Sequence, residues 1–184
     1  MEDGKVVLDH EDMRRTLVRI AHEIVERNPG QSLALVGIHR RGAVLARRLQ
    51  PLVAELADAD VPLGDIDIAF YRDDIATRPT SPVVHASHLN FALERRTTVV
   101  VDDVLFTGRT VRAAIEALFA YGRPARVQLA VLVDRGHREL PFRPDYVGKN
   151  LPTARGERVN VKVEEIDGVD EVAIAEPDTV EDFA

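Results

Sequence analysis

Thr97-Thr98-Val99-Val100-Val101-Asp102-Asp103-Val104-Leu105-Phe106-Thr107-Gly108-Arg109-Thr110 is the stretch on which the fold turns. Its first five residues are β-branched and uncharged, the pattern of a parallel strand buried on both faces. The run stops on two adjacent carboxylates. Thr107, Gly108 and Thr110 follow, and Val111-Arg112-Ala113-Ala114-Ile115-Glu116-Ala117-Leu118-Phe119 has the spacing of an amphipathic helix. Strand, acidic pair, small-residue loop and helix together describe a phosphate cradle. Gly108 lets backbone approach an anion, and the free N–H groups of the helix start hold it, aided by the helix dipole. The carboxylates cannot bind phosphate, so they are expected to hold a ribose diol or hydrated Mg²⁺ beside it. Solvated acids on an ordinary strand–turn–helix would explain the pair alone, but not the glycine and hydroxyls after it.

From Val99 to Val111 the string resembles the thirteen-residue diphosphoribose-binding signature of type I phosphoribosyltransferases. That resemblance implies that Val99, Val100, Val101, Asp102, Asp103, Val104, Leu105, Phe106, Thr107, Gly108, Arg109, Thr110 and Val111 bind 5-phosphoribosyl 1-diphosphate (PRPP). The two acids would lie against the ribose hydroxyls and the loop around the 5′-phosphate. No Gly-Lys-Ser/Thr follows, so this is not a Walker loop, and the three spaced glycines of a dinucleotide fold are missing.

The 184 residues suffice for one domain with a sizeable core, expected to span 1–184 with an acidic end frayed from about 176. The chain has no cysteine, which excludes disulfides and thiolate chemistry. No apolar run approaches the roughly 20 residues of a membrane span, and the N-terminus lacks a signal-peptide pattern, so a cytoplasmic location and no membrane partner are expected. The net charge of −7 is unevenly spread: nine of the 31 acids lie from Val163 onward, with no Lys or Arg among them. The 22 acids left face all 24 basic residues, so a basic face elsewhere is allowed.

In chain order, Asp9 and Asp12 form a capping-box-like start to a helix carrying Met13, Leu17, Ile20, Ala21, Ile24 and Val25 on one side. Asn28-Pro29-Gly30 ends it. Arg15, Arg19, His22 and Glu26 fall on the opposite stripe. Ser32–Ile38 reads as a core strand and Ala43–Leu56 as a helix. Between them, Gly37-Ile38-His39-Arg40-Arg41-Gly42 suggests a second anion loop. Asp65–Tyr71 alternates as a half-buried strand should. Ile75–Asn90, with Pro79 and Pro82, reads as an extended loop and candidate lid. Val127–Val133 is another buried strand, ending on Asp134-Arg135-Gly136. In a parallel sheet these strand-end loops share the carboxyl edge, where open α/β folds bind ligands. Leu140–Asn150 shows no regular period, and Arg158–Val163 with Glu171–Ile174 suggests a terminal hairpin.

A narrower resemblance rests on Arg19–Ile24, Leu35–Ile38, Tyr71–Asp74, Val131–Pro141 and Val147–Asn150. These strings resemble the PyrR family of bifunctional pyrimidine-operon regulators and uracil phosphoribosyltransferases, over about Val7 to Ile174. The resemblance implies an α/β fold with a mostly parallel sheet flanked by helices, a small hood and a flexible lid loop. It implies conversion of uracil and PRPP to UMP and diphosphate, binding of pyrimidine-operon mRNA leader when UMP is bound, and a homodimer or higher homo-oligomer. It assigns Arg40, Arg41, Gly42 and Arg72 to the donor, Asp102, Asp103 and Arg41 to catalysis, and Asp134, Arg135 and Gly136 to the uracil or UMP neighbourhood. Mg²⁺ is expected to ride on the donor diphosphate, without direct side-chain ligation. Arg15, Arg19, His22, Arg27, His137, Arg138, Arg143 and Lys149 are assigned to an RNA face. The chain departs from that pattern at Val18, where the family often has a hydroxyl, and at His39-Arg40, where it often has Lys-Thr. A purine or orotate phosphoribosyltransferase, or a nucleotide-sensing regulator with little catalysis, are the alternatives.

Overall fold

The computed structural model describes residues 4–73 and 87–176. Its centre is a parallel sheet of β2 (Leu33–Ile38), β3 (Leu63–Ile66), β4 (Thr97–Leu105), β5 (Arg126–Asp134) and β6 (Tyr146–Asn150), in the order β3-β2-β4-β5-β6. β4 is continuously apolar because both its faces are covered. Val99 and Val101 pack with α1 (His10–Arg27) and α2 (Arg41–Ala57), whereas Val100 packs with α3 (Arg109–Phe119). Alternate residues of β2 and β5 divide in the same way: Leu35 and Leu132 on one side, Val36 and Val131 on the other.

From β2 the chain moves outward to β3, then crosses to β4 on the other side and continues to β5 and β6. The strand order therefore reverses between β2 and β4, and the crevice beyond their carboxyl ends is the place for a ligand. The loops after β2 and β4 both open there.

A second, antiparallel sheet orders β1 (Lys5–Leu8), β8 (Glu171–Ala175) and β7 (Arg158–Lys162), with α4 (Glu164–Asp167) between β7 and β8. This is the expected hood, and the terminal hairpin forms as read from the sequence. Val161, Val163 and Val172 continue the core that lies under α1 and α2. α2 also holds the hood by charge: Arg48 bonds Glu165 and both oxygens of Asp170, and Arg41 forks onto Asp167 at 2.7 and 3.2 Å.

α1 starts with the capping box read from the sequence, Asp9 and Asp12 each accepting from the other's backbone N–H at 2.8 and 3.2 Å. Its far end is fixed by a buried polar cluster, in which Asn28 donates to Gln128 Oε1 at 2.9 Å and the Tyr146 hydroxyl donates to the same oxygen at 2.8 Å.

Several boundaries differ from the sequence reading. The strand expected over Asp65–Tyr71 stops at Ile66, because the Asp67 carboxylate turns the chain by accepting from Ala69 N at 2.8 Å. α2 begins at Arg41, two residues before the expected Ala43. Tyr146–Asn150, expected to be irregular, pairs with β5 as the sheet's edge. Within the expected lid, residues 74–86 lie outside the described residues, as do 177–184 of the expected frayed end. No described helix is long and apolar enough to cross a membrane.

Candidate active site

Asp102 and Asp103 lie near the carboxyl end of β4, just past Val101, where pairing with β2 ends while pairing with β5 continues to Leu105. Asp102 is only 6% exposed, and Asp103 is half-buried. Burial, then repulsion from neighbouring Asp103, pushes the Asp102 carboxyl well above the usual carboxylate range. Each carboxylate also receives a local backbone bond at 2.9 Å, Asp103 N to Asp102 and Val104 N to Asp103. Such a pair is relieved by anything that brings hydroxyl donors or positive charge. Its donor set therefore fits a ribose diol with Mg²⁺ nearby.

Beyond the pair the chain wraps a cavity of about 290 Å³ lined by Arg72, Asp73 and every residue from Val104 to Val111. Gly108 turns this loop at φ +93° and a Cβ there would stand 3.1 Å from Phe142 and 3.3 Å from Leu140, so only glycine fits without strain. The N-cap of α3 is Gly108, which has no capping side chain; Arg109 N donates to Thr107 Oγ1 at 3.3 Å, and the next N–H groups of the first turn are left for an anion. Arg109 is tied outward to Asp73 and to Glu139, which also holds Arg155.

The second anion loop lies across the crevice at the start of α2. Gly42 lets that helix meet β4: a Cβ would lie 2.5 Å from Val101 O. Arg40 is exposed, with no ion pair among the described residues, whereas Arg41 is held by Asp167.

The loop after β5 closes the third side. A cavity of about 530 Å³ is lined by Asp134 to Arg138 and Asn150 to Pro152. This loop is zipped to the cradle. Arg135 N donates to Leu105 O at 3.1 Å, and Glu139 N and Leu140 N donate to Thr107 O at 2.9 and 3.0 Å. Phe106 sits between the two loops, with the Arg135 guanidinium 4.1 Å from its ring centroid and His137 at its edge. Arg135 is itself buried, and its side chain pins Thr153, Ala154 and Arg155.

His137 and Arg138, expected on an RNA face, are half-buried and bond within the loop region. His137 Nε2 lies 2.6 Å from Thr153 O. Arg138 forks between Asp134 at 2.5 Å, Phe106 O at 2.8 Å and Phe142 O at 2.9 Å. Positive φ at Gly136 (+78°) and His137 (+66°) bends the loop back on itself in a way that composition does not reveal. Phe106 and Glu139 join the loops but carried no signal beyond their place in the strings.

The remaining basic residues lie elsewhere. Arg15, Arg19, His22 and Arg27 are exposed on α1, and Arg143 and Lys149 are exposed before and on β6. Arg19 joins the two elements by donating to Gly148 O at 2.5 Å and Val147 O at 3.2 Å. Arg15, Arg19 and Arg27 face Asp12, Glu23 and Asp145.

A family model described as "Phosphoribosyl transferase domain" matches residues 4–165. A "Bifunctional protein PyrR" of Roseiflexus sp. (strain RS-1) is 57% identical over 165 residues, 89% of this chain and 90% of that one. The protein of the same name from Caldicellulosiruptor bescii is 54% identical over 179 residues, covering 97% and 98%. Among solved structures, the hypoxanthine-guanine phosphoribosyltransferase of Bacillus anthracis superposes with a TM-score of 0.70 at 16% identity, covering 95% of this chain and 100% of that one. The hypoxanthine phosphoribosyltransferase of Trypanosoma cruzi gives 0.69 at 20% identity, covering 94% and 97%. These two show the fold, type I phosphoribosyltransferase, as the sequence led one to expect. With relatives this similar along nearly their whole length, the chain belongs to the phosphoribosyltransferase family and, within it, to the bifunctional PyrR proteins.

Proposed function

We propose that this chain transfers a phosphoribosyl group from PRPP to uracil, giving UMP and diphosphate, and that with UMP bound it binds the leader of pyrimidine-operon mRNA. The observation carrying the enzymatic half is the carboxylate pair at the end of β4, set between the α3 cradle and the loop of α2.

Displacement at the anomeric carbon passes through a cation-like transition state, with diphosphate leaving. Positioning and electrostatics supply the catalysis, and no protein nucleophile is needed. Asp102 and Asp103 accept from the ribose hydroxyls and place negative charge beside the developing cation. Thr107, Gly108, Thr110 and the first turn of α3 bind the 5′-phosphate. Arg40 and the start of α2 receive the diphosphate, and Arg41 joins them by leaving Asp167. Arg40 and the start of α2 would hold the diphosphate together with the Mg²⁺ it carries, and that ion would supply charge neutralisation for the leaving group. Uracil occupies the cavity beside Asp134, Arg135 and Gly136, whose backbone groups the β4–β5 zipper holds still. Arg72, at the cradle's rim, helps exclude water.

The test is to incubate the pure protein with PRPP, Mg²⁺ and uracil, adenine, hypoxanthine or orotate in parallel, and to measure nucleotide. UMP is expected in large excess over any other product. A purine preference would reject the uracil assignment.

The RNA reading is supported by the exposed α1 stripe, joined through Arg19 to the edge strand that carries Lys149. Exposed ion pairs such as Arg15 with Asp12 are screened by water and hold weakly, so RNA phosphates can replace the acids. Each phosphate contact releases counterions and contributes about −0.7 to the log–log salt slope for single strands. Selectivity comes from unstacked bases of a loop or bulge, and UMP strengthens binding by favouring the competent state. Arg15→Ala and Lys149→Ala are each expected to weaken leader binding and flatten that slope by about 0.7, with UMP synthesis unaffected. Filter binding across a salt series, with and without UMP, measures this. Equal affinity of the wild type for a scrambled RNA would end the regulatory reading. Cytoplasmic location and self-association complete the proposal, the latter checked by light scattering on the eluting peak.

A further inference from the structure

Beside the second anion loop, away from the carboxylate pair and the α3 cradle, the fold gathers three residues from separate parts of the chain. His39 follows β2, Asp65 lies in β3, and His88 comes 23 residues further on. His39 Nε2 is 2.6 Å and His88 Nδ1 is 3.0 Å from the same oxygen, Asp65 Oδ1. One ligand atom from each lies within 4.8 Å of both others. We propose that His39, Asp65 and His88 form a binding site for a divalent transition metal of the zinc class. This inference does not depend on the reaction proposed above.

The backbone holds all three ligands in place. Asp65 N donates to His88 O at 3.0 Å and His88 N donates to Asp65 O at 2.9 Å, a closed antiparallel bridge. His39 N donates to Ile66 O at 3.0 Å, in line with the parallel register of β2 and β3. Such anchoring is what orients ligands in metal centres before the ion arrives.

Chemistry and size agree. Two imidazoles and one carboxylate match the donor set of zinc sites, whereas Mg²⁺ prefers oxygen throughout. With zinc–ligand bonds of about 2.0–2.1 Å, neighbouring ligand atoms in a tetrahedron stand about 3.3 Å apart. The trio therefore opens by less than about 1 Å to admit an ion. With an ion bound, each ring would give up the proton it shares with Asp65, keep its proton on the other nitrogen and present a lone pair to the metal. The fourth position is left for water or an anionic oxygen, since His88 is exposed. The bound ion would fasten the diphosphate loop, which begins at His39, to His88.

A second trio, His10, Glu164 and Asp170, meets the same spacing. It differs because Arg48 already occupies both oxygens of Asp170, at 2.9 and 2.7 Å. A cation there would have to expel a guanidinium, and this trio serves as the internal control.

The experiment titrates the full chain with zinc in excess Mg²⁺, against a chromophoric chelator, and repeats the titration with cobalt to read the visible bands of a four-coordinate ion. One ion per chain is expected. His39→Gln and His88→Gln should each weaken binding by at least about tenfold, while His10→Gln leaves it unchanged. His88 is exposed, so its variant keeps the fold, and circular dichroism verifies this. Failure of the wild type to take up zinc overturns the proposal. So does wild-type affinity in the folded His88→Gln variant, or loss of binding in His10→Gln.

Discussion

Asp102→Asn combined with Asp103→Asn will lower UMP synthesis by about a thousandfold or more, the scale on which removing groups aimed at developing charge is felt. The amides still accept hydrogen bonds from ribose, but they supply no negative charge at the anomeric carbon. The same change will make the free protein more stable. Asp102 is buried beside another acid, so its proton is held more tightly in the folded chain than in the unfolded one. Stability therefore falls as pH rises from the unfolded value, 3.8, towards the raised folded one. Asparagine carries no such penalty. The variant should melt higher than the wild type at neutral pH, and the gap should close in acid below that unfolded value. Thermal melts across pH and product assays on the same samples decide it. Near-normal turnover would remove the pair from the mechanism, and an unchanged melting temperature would deny that its burial is costly.

Arg138→Ala carries the second large effect, and it concerns the enzyme rather than RNA. Its guanidinium joins Asp134, the last residue of β5, to carbonyls of Phe106 in the cradle and Phe142 beyond it. Truncation leaves the Asp134 carboxylate, only 14% exposed in its side chain, and two carbonyls without their partner. The cost is about 2 kcal/mol or more of stability. The loop lining the uracil cavity also loses its tie to the cradle, so the KM for uracil is expected to rise at least about tenfold, a misplacement effect. Arg138→Lys should restore little, because an ammonium cannot reproduce the fork. Urea titration and steady-state kinetics with uracil varied give both numbers. Wild-type values for both would leave Arg138 without the role its bonds suggest.

The parallel sheet and the strand-end loops were legible because both rest on local pattern. An uninterrupted β-branched run buried on two faces, followed by acids and a glycine, has few other uses. The edge strand Tyr146–Asn150 was not legible, since half of it faces solvent and Gly148 weakens the pattern. Strand β1 escaped for the same reason: Lys5 and Val6 are exposed and only Leu8 is buried. The bonds of Arg138 and the meeting of His39, Asp65 and His88 were beyond reach for another reason. Both depend on which strands lie side by side, and a linear reading holds no register between distant segments.

The hood's attachment changes how the chain's charge should be understood. Counted along the sequence, acidity after Val163 looks like a detachable tail on a slightly basic body. In the fold, Glu165, Asp167 and Asp170 are counterions of Arg48 and Arg41, two arginines on a single helix. Cutting the chain before Val163 would strip α2 of its neutralising partners and would also take Val163 and Val172 from the core. A guanidinium can satisfy one fork at a time, so a diphosphate captured by Arg41 releases Asp167. The Arg48 clamp, two turns further along the same face of the helix, would then keep the hood seated on α2 while a donor is held.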